Sequence, residues 1–297
     1  MKNFKLIILS LVAVVFVSCG TSNTVPITGR KQNLMVSDGD ILSLSTQQYQ
    51  DFMKSAKLST NQANTAMVKR VGQNLANAVT SYLTAAGLQN DLQYYKWTFN
   101  LVQDNQVNAW CMPGGLICVY EGILPVTQDE PSLAIVLGHE IAHAVARHSA
   151  EQMSTQIKQQ YGLQIGAAVL GGLGMGANTT SIIQAIAAQG FNFKNLSYSR
   201  NHENEADHMG LIFAAMAGYD PNAALSFWQR MAASNKNQTS EFLSDHPSDA
   251  TRIKNIQGWL PEALKYYKPK STAKAVTTTK KTTTTTKKSV TTKKTKK

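Results

Sequence analysis

The spacing of apolar residues predicts a mainly helical chain with a small β-sheet. Apolar side chains recur every three or four positions between residues 67 and 79, and we predict two helices over 41–87 that stop at Gly87. Residues 94–107 alternate apolar and polar side chains as a half-buried strand does, and a second strand follows at 116–120. A helix-forming stretch then extends from Pro131 to Gln160. The predicted fold class is therefore α+β, mainly helical.

The helix predicted for residues 131–160 carries His139-Glu140-Ile141-Ala142-His143 in its most apolar part. Positions four apart share one face of a helix, so the imidazoles of His139 and His143 converge on one point. Two neutral imidazoles half-coordinate a Zn²⁺ ion, and Glu140 can act as a general base on a metal-bound water. The alternative is a helix whose polar face carries two histidines, but buried imidazoles without partners would cost free energy.

A second polar cluster can supply the third ligand that a catalytic zinc needs. Glu203 and Asp207 are four apart and share a helix face, whereas Glu205 points elsewhere. Glu203 can complete a site of two histidines and one glutamate, with Asp207 bonded to the free ring nitrogen of a ligand histidine. The alternative is an exposed, charged first turn, because acidic residues favour helix N-termini.

Together these motifs resemble zinc metallopeptidase family 48, which contains the HtpX, CAAX prenyl endopeptidase and OMA types. The resemblance follows the family's order along residues 36–260 and is closest to short periplasmic lipoprotein members of the BepA–LoiP kind. The residues that carry it are Asn108-Ala109, Pro113-Gly114-Gly115, Gly138-His139-Glu140-Ile141-Ala142-His143, Arg147-His148, Glu203-Asn204-Glu205-Ala206-Asp207, Ala217-Gly218-Tyr219-Asp220-Pro221, His246-Pro247 and Arg252-Ile253.

The resemblance implies a zincin (gluzincin) metallopeptidase fold with a small β-sheet beside the active-site helix. It implies one Zn²⁺ per chain, with His139, His143 and Glu203 as metal ligands. Glu140 would be the catalytic general base, and Asp207 would support a ligand histidine from behind.

The resemblance also implies that His246 lies near the metal. There it would act catalytically by donating to the developing oxyanion, or it would occupy the open metal position in a resting state. A turn residue before Pro247 is the alternative. We expect His148 to be structural, because it lies about 180° round a continuous helix from His139. His202 and His208 are expected to be non-ligands.

The N-terminal residues are typical of a lipoprotein signal. Lys2 and Lys5 precede an apolar stretch, residues 6–17, that is too short to span a bilayer comfortably, and residues 16–19 resemble a bacterial lipobox with Cys19 as the lipidated residue. An ordinary secretory signal with an incidental cysteine is the alternative. We predict a lipoprotein signal peptide over 1–18, a lipidated tether over 19–35, a zinc metallopeptidase domain over 36–267 and a disordered Thr/Lys-rich tail over 268–297.

The formal net charge of +11 belongs to this tail. Residues 268–297 contain eleven lysines and no acidic residue, so the rest of the chain is formally neutral. The charge therefore indicates no specific nucleic-acid partner for the fold. The tail can lie along an anionic surface, although a solubilising role is the default. Hydrophobic residues make up 43% of the chain, which suffices for one substantial globular domain.

Three further assignments remain open. Cys111 and Cys118 would face each other if Gly114-Gly115 formed a two-residue turn, so a disulfide and free buried thiols are equal alternatives. The strand Gly115 to Tyr120 would bind an extended substrate as an added strand, or belong to an ordinary core hairpin. Residues 161–190, rich in Gly and Ala and uncharged, would form a mobile helical hairpin, contact the membrane surface, or be a buried helix pair.

The resemblance implies a membrane-anchored endopeptidase that hydrolyses unfolded or misassembled cell-envelope proteins. Its partners would be misfolded protein or peptide substrates and, through lipidated Cys19, a membrane. The expected location is the bacterial cell envelope, with the lipid anchor in the outer membrane and the domain facing the periplasm. The alternatives are an envelope chaperone or assembly factor with a zinc site but little turnover, and a structural lipoprotein whose histidine motif is accidental.

Overall fold

A computed structural model describes residues 21–170, 176–234, 241–246 and 250–269. The strands are β1 Thr21–Thr24, β2 Lys31–Leu34, β3 Thr98–Val102, β4 Ala109–Met112 and β5 Leu116–Tyr120. The helices are α1 Asp38–Ser55, α2 Gln62–Ala85, α3 Leu124–Thr127, α4 Glu130–Val145, α5 His148–Leu170, α6 Gly176–Ala188, α7 Arg200–Met216, α8 Ala223–Ser234, α9 Glu241–Asp245 and α10 Ala250–Tyr266. The mainly helical α+β class is confirmed. The predicted signal peptide, Cys19, Pro247 and nearly all of the tail lie outside the described residues.

The larger sheet has three strands in the order β3-β5-β4. Strand β5 pairs in parallel with β3 and antiparallel with β4, so both of its edges are hydrogen-bonded within the protein. The prediction that Gly115 to Tyr120 binds substrate as an added strand is therefore wrong. Strands β3 and β4 lie at the two edges, and the outer side of β3 is hydrogen-bonded to residues 57–59.

The turn between β4 and β5 has three residues rather than two. Met112 pairs with Leu116, and residues 113–115 form the loop, in which Gly114 and Gly115 both have positive φ. The extra loop residue shifts the predicted register by one, so Cys111 opposes Ile117 and Cys118 opposes Trp110. The two cysteines thus point to opposite faces of the sheet, and both are free and buried.

Each face of this sheet covers a separate hydrophobic core. The larger core packs α2, α4, α7, α8 and α10 on one face and includes Phe99, Cys111 and Ile117 from the strands. The smaller core contains Trp110, Met112, Cys118 and Tyr120 from the opposite face, together with residues of α1, α5 and α6. The sheet is buried on both sides, which explains the almost continuous apolar sequence of β4 and β5.

Helix α4 has well-defined ends. The Asp129 side chain caps its N-terminus by accepting a hydrogen bond from the Ser132 backbone N–H, and Pro131 occupies the first turn. The helix ends at Val145 because Arg147 adopts a left-handed conformation, with φ of 54°. The Arg147 guanidinium pairs with Asp38 and Asp91, which holds the break in place. The continuous helix predicted over 131–160 is therefore wrong: α5 begins afresh at His148.

The segment predicted as a tether is folded onto the domain. Strands β1 and β2 form an antiparallel hairpin, which we call the N-terminal hairpin (residues 21–34). Its Val25 and Leu34 are buried, and β2 packs against α5. The tether prediction fails over residues 21–35 because these apolar side chains have a core to enter.

The Gly- and Ala-rich segment forms a pair of helices, α5 and α6. The Ile183 and Ile186 side chains in α6 are buried in the smaller core, as expected for a packed helix pair rather than a free hairpin. The Gly171-Gly172-Leu173-Gly174-Met175 part of this segment lies outside the described residues. Among the helices that the structure describes, none combines the length and the apolar character required to span a bilayer.

Helices α4 and α7 touch at their backbones. A Cβ atom added to Gly210 would lie 2.6 Å from the His139 backbone nitrogen, and one added to Gly138 would lie 2.7 Å from the Gly210 carbonyl oxygen. Only glycine allows an approach this close. The contact lies next to His139 on α4 and one turn beyond Asp207 on α7, so it determines where the polar residues of the two helices meet.

Replacing the glycine on α7 tests this contact. Gly210→Ala should lower the free energy of unfolding by about 1–3 kcal/mol, because the methyl group would force two backbones apart. Gly258→Ala is the matched control, since a Cβ there meets no atom within 4 Å. The control should be neutral or stabilise α10 by up to about 1 kcal/mol. Urea denaturation followed by circular dichroism measures both, and equal effects would contradict the proposed close packing.

Candidate metal centre

Four side chains with metal-binding atoms converge in the larger core. His139 and His143 come from α4, Glu203 from the first turn of α7, and His246 follows α9. One ligand atom from each lies within 4.8 Å of the others, and all four residues are buried. The structure thus brings together the three predicted ligands and adds His246 to them.

The distances among His139, His143 and Glu203 fit a tetrahedral zinc ion. Ligand atoms 2.0–2.1 Å from a tetrahedral zinc are separated from one another by about 3.3 Å. The Nε2 atoms of His139 and His143 are 3.0 Å apart, and each lies 3.4 Å from a carboxylate oxygen of Glu203. The His246 Nδ1 atom lies 3.1 Å from His139 Nε2 and 3.0 Å from Glu203 Oε1.

The charge states of His143 and Glu203 suit a cation. His139 differs, because burial lowers its pKa but Glu203 and Asp207 outweigh that effect and raise the pKa of His139 above its usual value. Burial lowers the pKa of His143 well below its usual value, which favours the neutral imidazole with a free lone pair. Burial opposes ionisation of Glu203, but His246 and His139 outweigh it and hold the pKa of Glu203 well below its usual range. A neutral imidazole and an ionised carboxylate are the forms that bind zinc.

Asp207 contacts the ring nitrogen of His139 that faces away from the cluster, and Arg252 in turn contacts Asp207. The Asp207 Oδ1 atom lies 2.9 Å from His139 Nδ1, which directs the lone pair of Nε2 towards the cluster. Arg252 donates to Asp207 from Nη2 at 2.7 Å and lies over the Trp228 ring, 3.7 Å from its centroid. Its Nη1 atom is 3.2 Å from Glu203 Oε2. Arg252 belongs to the sequence pattern, but its position in the sequence alone predicts no role for it.

Glu140 lies beside the cluster rather than in it. Its carboxyl group is hydrogen-bonded to the backbone of Cys111 on β4, while Oε1 has no hydrogen-bond partner within the described part of the chain. Burial raises the pKa of Glu140 to about 7, an effect that His246 opposes and Glu203 reinforces. A carboxyl group with a pKa near neutrality can both accept and return a proton.

The remaining histidines are not metal ligands in this arrangement. His208 pairs with Glu262 on α10, and His202 stacks on His148 with ring centroids 4.4 Å apart. His148 itself contacts the cluster, because its Nδ1 atom is 2.9 Å from Nδ1 of His143. The sequence missed this contact because the helix breaks at Arg147, so the angle counted along a continuous helix does not apply.

Comparison with known proteins agrees with this site. The chain is 39% identical over 171 residues to the mitochondrial metalloendopeptidase OMA1 of Schizosaccharomyces pombe, covering 57% of this chain and 48% of that protein. It is 30% identical over 249 residues to the mitochondrial metalloendopeptidase OMA1 of Homo sapiens, covering 81% of this chain and 46% of that protein. It is 29% identical over 188 residues to the beta-barrel assembly-enhancing protease of Yersinia pestis, covering 60% of this chain and 36% of that protein.

These matches extend over about half or less of the relatives' own lengths. The sequence model of Peptidase family M48 matches residues 62–260, a range that contains α2 and everything in the cluster. The buried group of two histidines and a glutamate, with a glutamate beside it, lies wholly inside the matched range. This chain therefore belongs to peptidase family M48.

Proposed function

We propose that this protein is a zinc-dependent endopeptidase, with one Zn²⁺ held by His139, His143 and Glu203. The observation that carries the proposal is the convergence of these three buried side chains next to Glu140, whose Oε1 atom accepts no hydrogen bond within the described residues. A zinc ion bound there would supply Lewis-acid chemistry, polarising the scissile carbonyl group and lowering the pKa of water.

Glu140 is the proposed proton carrier. It takes a proton from the attacking water and passes it to the departing amine nitrogen, which requires a pKa between those of the two groups. Its buried position beside β4 raises its pKa into this range and excludes competing bulk water. Asp207 and Arg252 keep His139 and Glu203 oriented throughout.

The edge of β4 that does not pair with β5 is the proposed substrate-binding edge. The Tyr120 N–H bonds to the Asn108 carbonyl, so in the alternating antiparallel pattern the backbone groups of Ala109 and Cys111 face away from β5. An extended peptide paired with that edge would run past Glu140, which is bonded to the Cys111 backbone. Backbone pairing of this kind holds unfolded segments with little sequence preference.

His246 has two proposed roles. Its Nδ1 atom lies among the ligand atoms, which favours a resting state in which His246 fills the fourth metal position. Its Nε2 atom is 3.5 Å from Glu140 Oε1, and the proposed second role is to donate from this nitrogen to the developing oxyanion. Bound substrate would displace the His246 ring from the fourth metal position. The ring would then donate to the oxyanion.

The proposed setting is the bacterial cell envelope, with Cys19 lipidated, the anchor in the outer membrane and the domain facing the periplasm. The substrates would be unfolded or misassembled envelope proteins. The signal-like pattern of residues 1–19 and the similarity to a protease named for enhancing β-barrel assembly support this setting. An envelope chaperone with a zinc site but little turnover is the alternative.

Substituting the proposed general base separates the two functions. Glu140→Gln should keep zinc but lower the rate of proteolysis by about 10²- to 10⁴-fold, because the amide cannot accept the proton. The measurement is degradation of an unfolded test protein, with and without a zinc chelator, and Glu262→Gln is the control. If wild type leaves the test protein intact but suppresses its aggregation, the chaperone alternative is correct.

Metal content tests the proposed ligand set. Purified wild-type protein should contain one zinc per chain, and Glu203→Gln should weaken zinc binding by more than the roughly 10- to 100-fold effect of an outer hydrogen bond. Elemental analysis and competition with a chromophoric chelator measure both quantities. Wild-type protein without stoichiometric zinc would show that the histidine motif is accidental.

The proposed anchor is tested at Cys19. Cys19→Ser should move the protein from the membrane fraction to the soluble fraction and remove the mass of the acyl chains, because the thiol is the site of lipidation. Cys118→Ala is the control. A Cys19→Ser protein that remains on the membrane would disprove this anchor without affecting the proposed chemistry.

A further inference from the structure

The N-terminal hairpin contacts the interior of the domain through polar side chains. It lies outside the range matched by the family model, which begins at residue 62. The Thr28 hydroxyl in its turn donates to Glu205 on α7, and the Gln32 amide donates to the Ala146 carbonyl oxygen at the end of α4 at 2.9 Å. The hairpin thus contacts both helices that carry the proposed metal ligands.

Arg30 is the centre of these contacts. Its Nε atom lies 2.8 Å from Glu205 Oε2, and its Nη1 and Nη2 atoms each lie 2.8 Å from an oxygen of Glu151 on α5. A guanidinium group has donors only, so it obliges both carboxylates to accept. Arg30 therefore joins the hairpin, α5 and α7 at one point.

The hydrogen bonds continue from Glu205 to the cluster. His148 is fully buried, with Nε2 at 2.9 Å from Glu205 Oε2 and Nδ1 at 2.9 Å from Nδ1 of His143. Because Glu205 accepts, His148 donates from Nε2, and the neutral ring then has a lone pair on Nδ1. That lone pair accepts from Nδ1–H of His143, so the remaining lone pair of His143, on Nε2, points into the cluster.

We infer that His148, Glu205 and Arg30 are positioning residues that set the ring orientation and tautomer of His143, so that the N-terminal hairpin is a part of the metal site. The inference rests on the proposed function, because it concerns a ligand of the proposed zinc. It assigns to His143 the kind of support that Asp207 gives His139, with one histidine inserted between ligand and carboxylate. The two ligand histidines are thereby supported by separate carboxylate–arginine pairs.

Zinc affinity of His148 variants tests the link nearest the metal. His148→Leu removes the acceptor and should weaken zinc binding about 10- to 100-fold. His148→Asn, whose amide oxygen can accept from His143 Nδ1–H, should recover most of that loss. His208→Leu is the matched control, because it breaks a histidine–glutamate pair away from the cluster and should bind zinc as wild type does.

Arg30 tests the link to the hairpin. Arg30→Ala should weaken zinc binding about tenfold, because Glu205 and Glu151 lose their shared donor. Arg70→Ala removes a comparable arginine–glutamate pair at the surface and should have no effect on zinc binding. Circular dichroism of each zinc-free variant verifies folding. Folded His148→Leu and Arg30→Ala proteins that both bind zinc within twofold of wild type would overturn the inference.

The tautomer can also be observed without metal. In the zinc-stripped, ¹⁵N-labelled full chain, the ring nitrogen shifts of His143 should correspond to a proton on Nδ1, and Arg30→Ala should mix the two tautomers. A proton on Nε2 in the wild-type protein would overturn the inference even if zinc binds. Wild-type protein that shows the Nδ1–H tautomer but binds no zinc would support the hydrogen-bond chain and refute the proposed function instead.

Discussion

The metal cluster depends on how closely α4 and α7 approach each other. Their backbones touch at Gly138 and Gly210, where an added Cβ would lie within 2.7 Å of the facing backbone. At this separation the ligand atoms of His139 and His143 on α4 lie within 4.8 Å of a carboxylate oxygen of Glu203 on α7. A side chain at the crossing would force these two backbones apart, and the ligands lie on the same two helices.

The second constraint is that a buried polar cluster must satisfy its own hydrogen bonds. The chain meets it with two carboxylates, each paired with an arginine. Asp207, paired with Arg252, bonds to His139. Glu205, paired with Arg30, bonds to His148, which in turn contacts His143. Each pair leaves the Nε2 lone pair of its histidine free to face the metal position. Within the described residues the buried Glu140 Oε1 atom has no hydrogen bond, as expected of the proposed general base.

The strands of the larger sheet differ in how they are paired. Strand β5 is paired on both sides and contributes only packing, while β4 offers an edge whose Cys111 backbone is bonded to Glu140. One extra residue in the loop at 113–115 also sends Cys111 and Cys118 to opposite faces. A register shift of one residue changes which side chains lie opposite each other, so the loop length determines that Cys111 and Cys118 do not face each other.

The sequence by itself determined what depends on local spacing. The four-residue intervals of His139–His143 and Glu203–Asp207 put each pair on one helix face, and apolar periodicity located α1 and α2. Only the tertiary structure decided the helix break at Arg147, the order of the strands and the docking of the N-terminal hairpin. Each of these depends on distant partners: Asp38 and Asp91 hold Arg147, and Glu205 and Glu151 hold Arg30. Local propensity carries no information about such contacts, which is why the contacts of His148, Arg252 and Arg30 with the cluster and its neighbours emerged only from the fold.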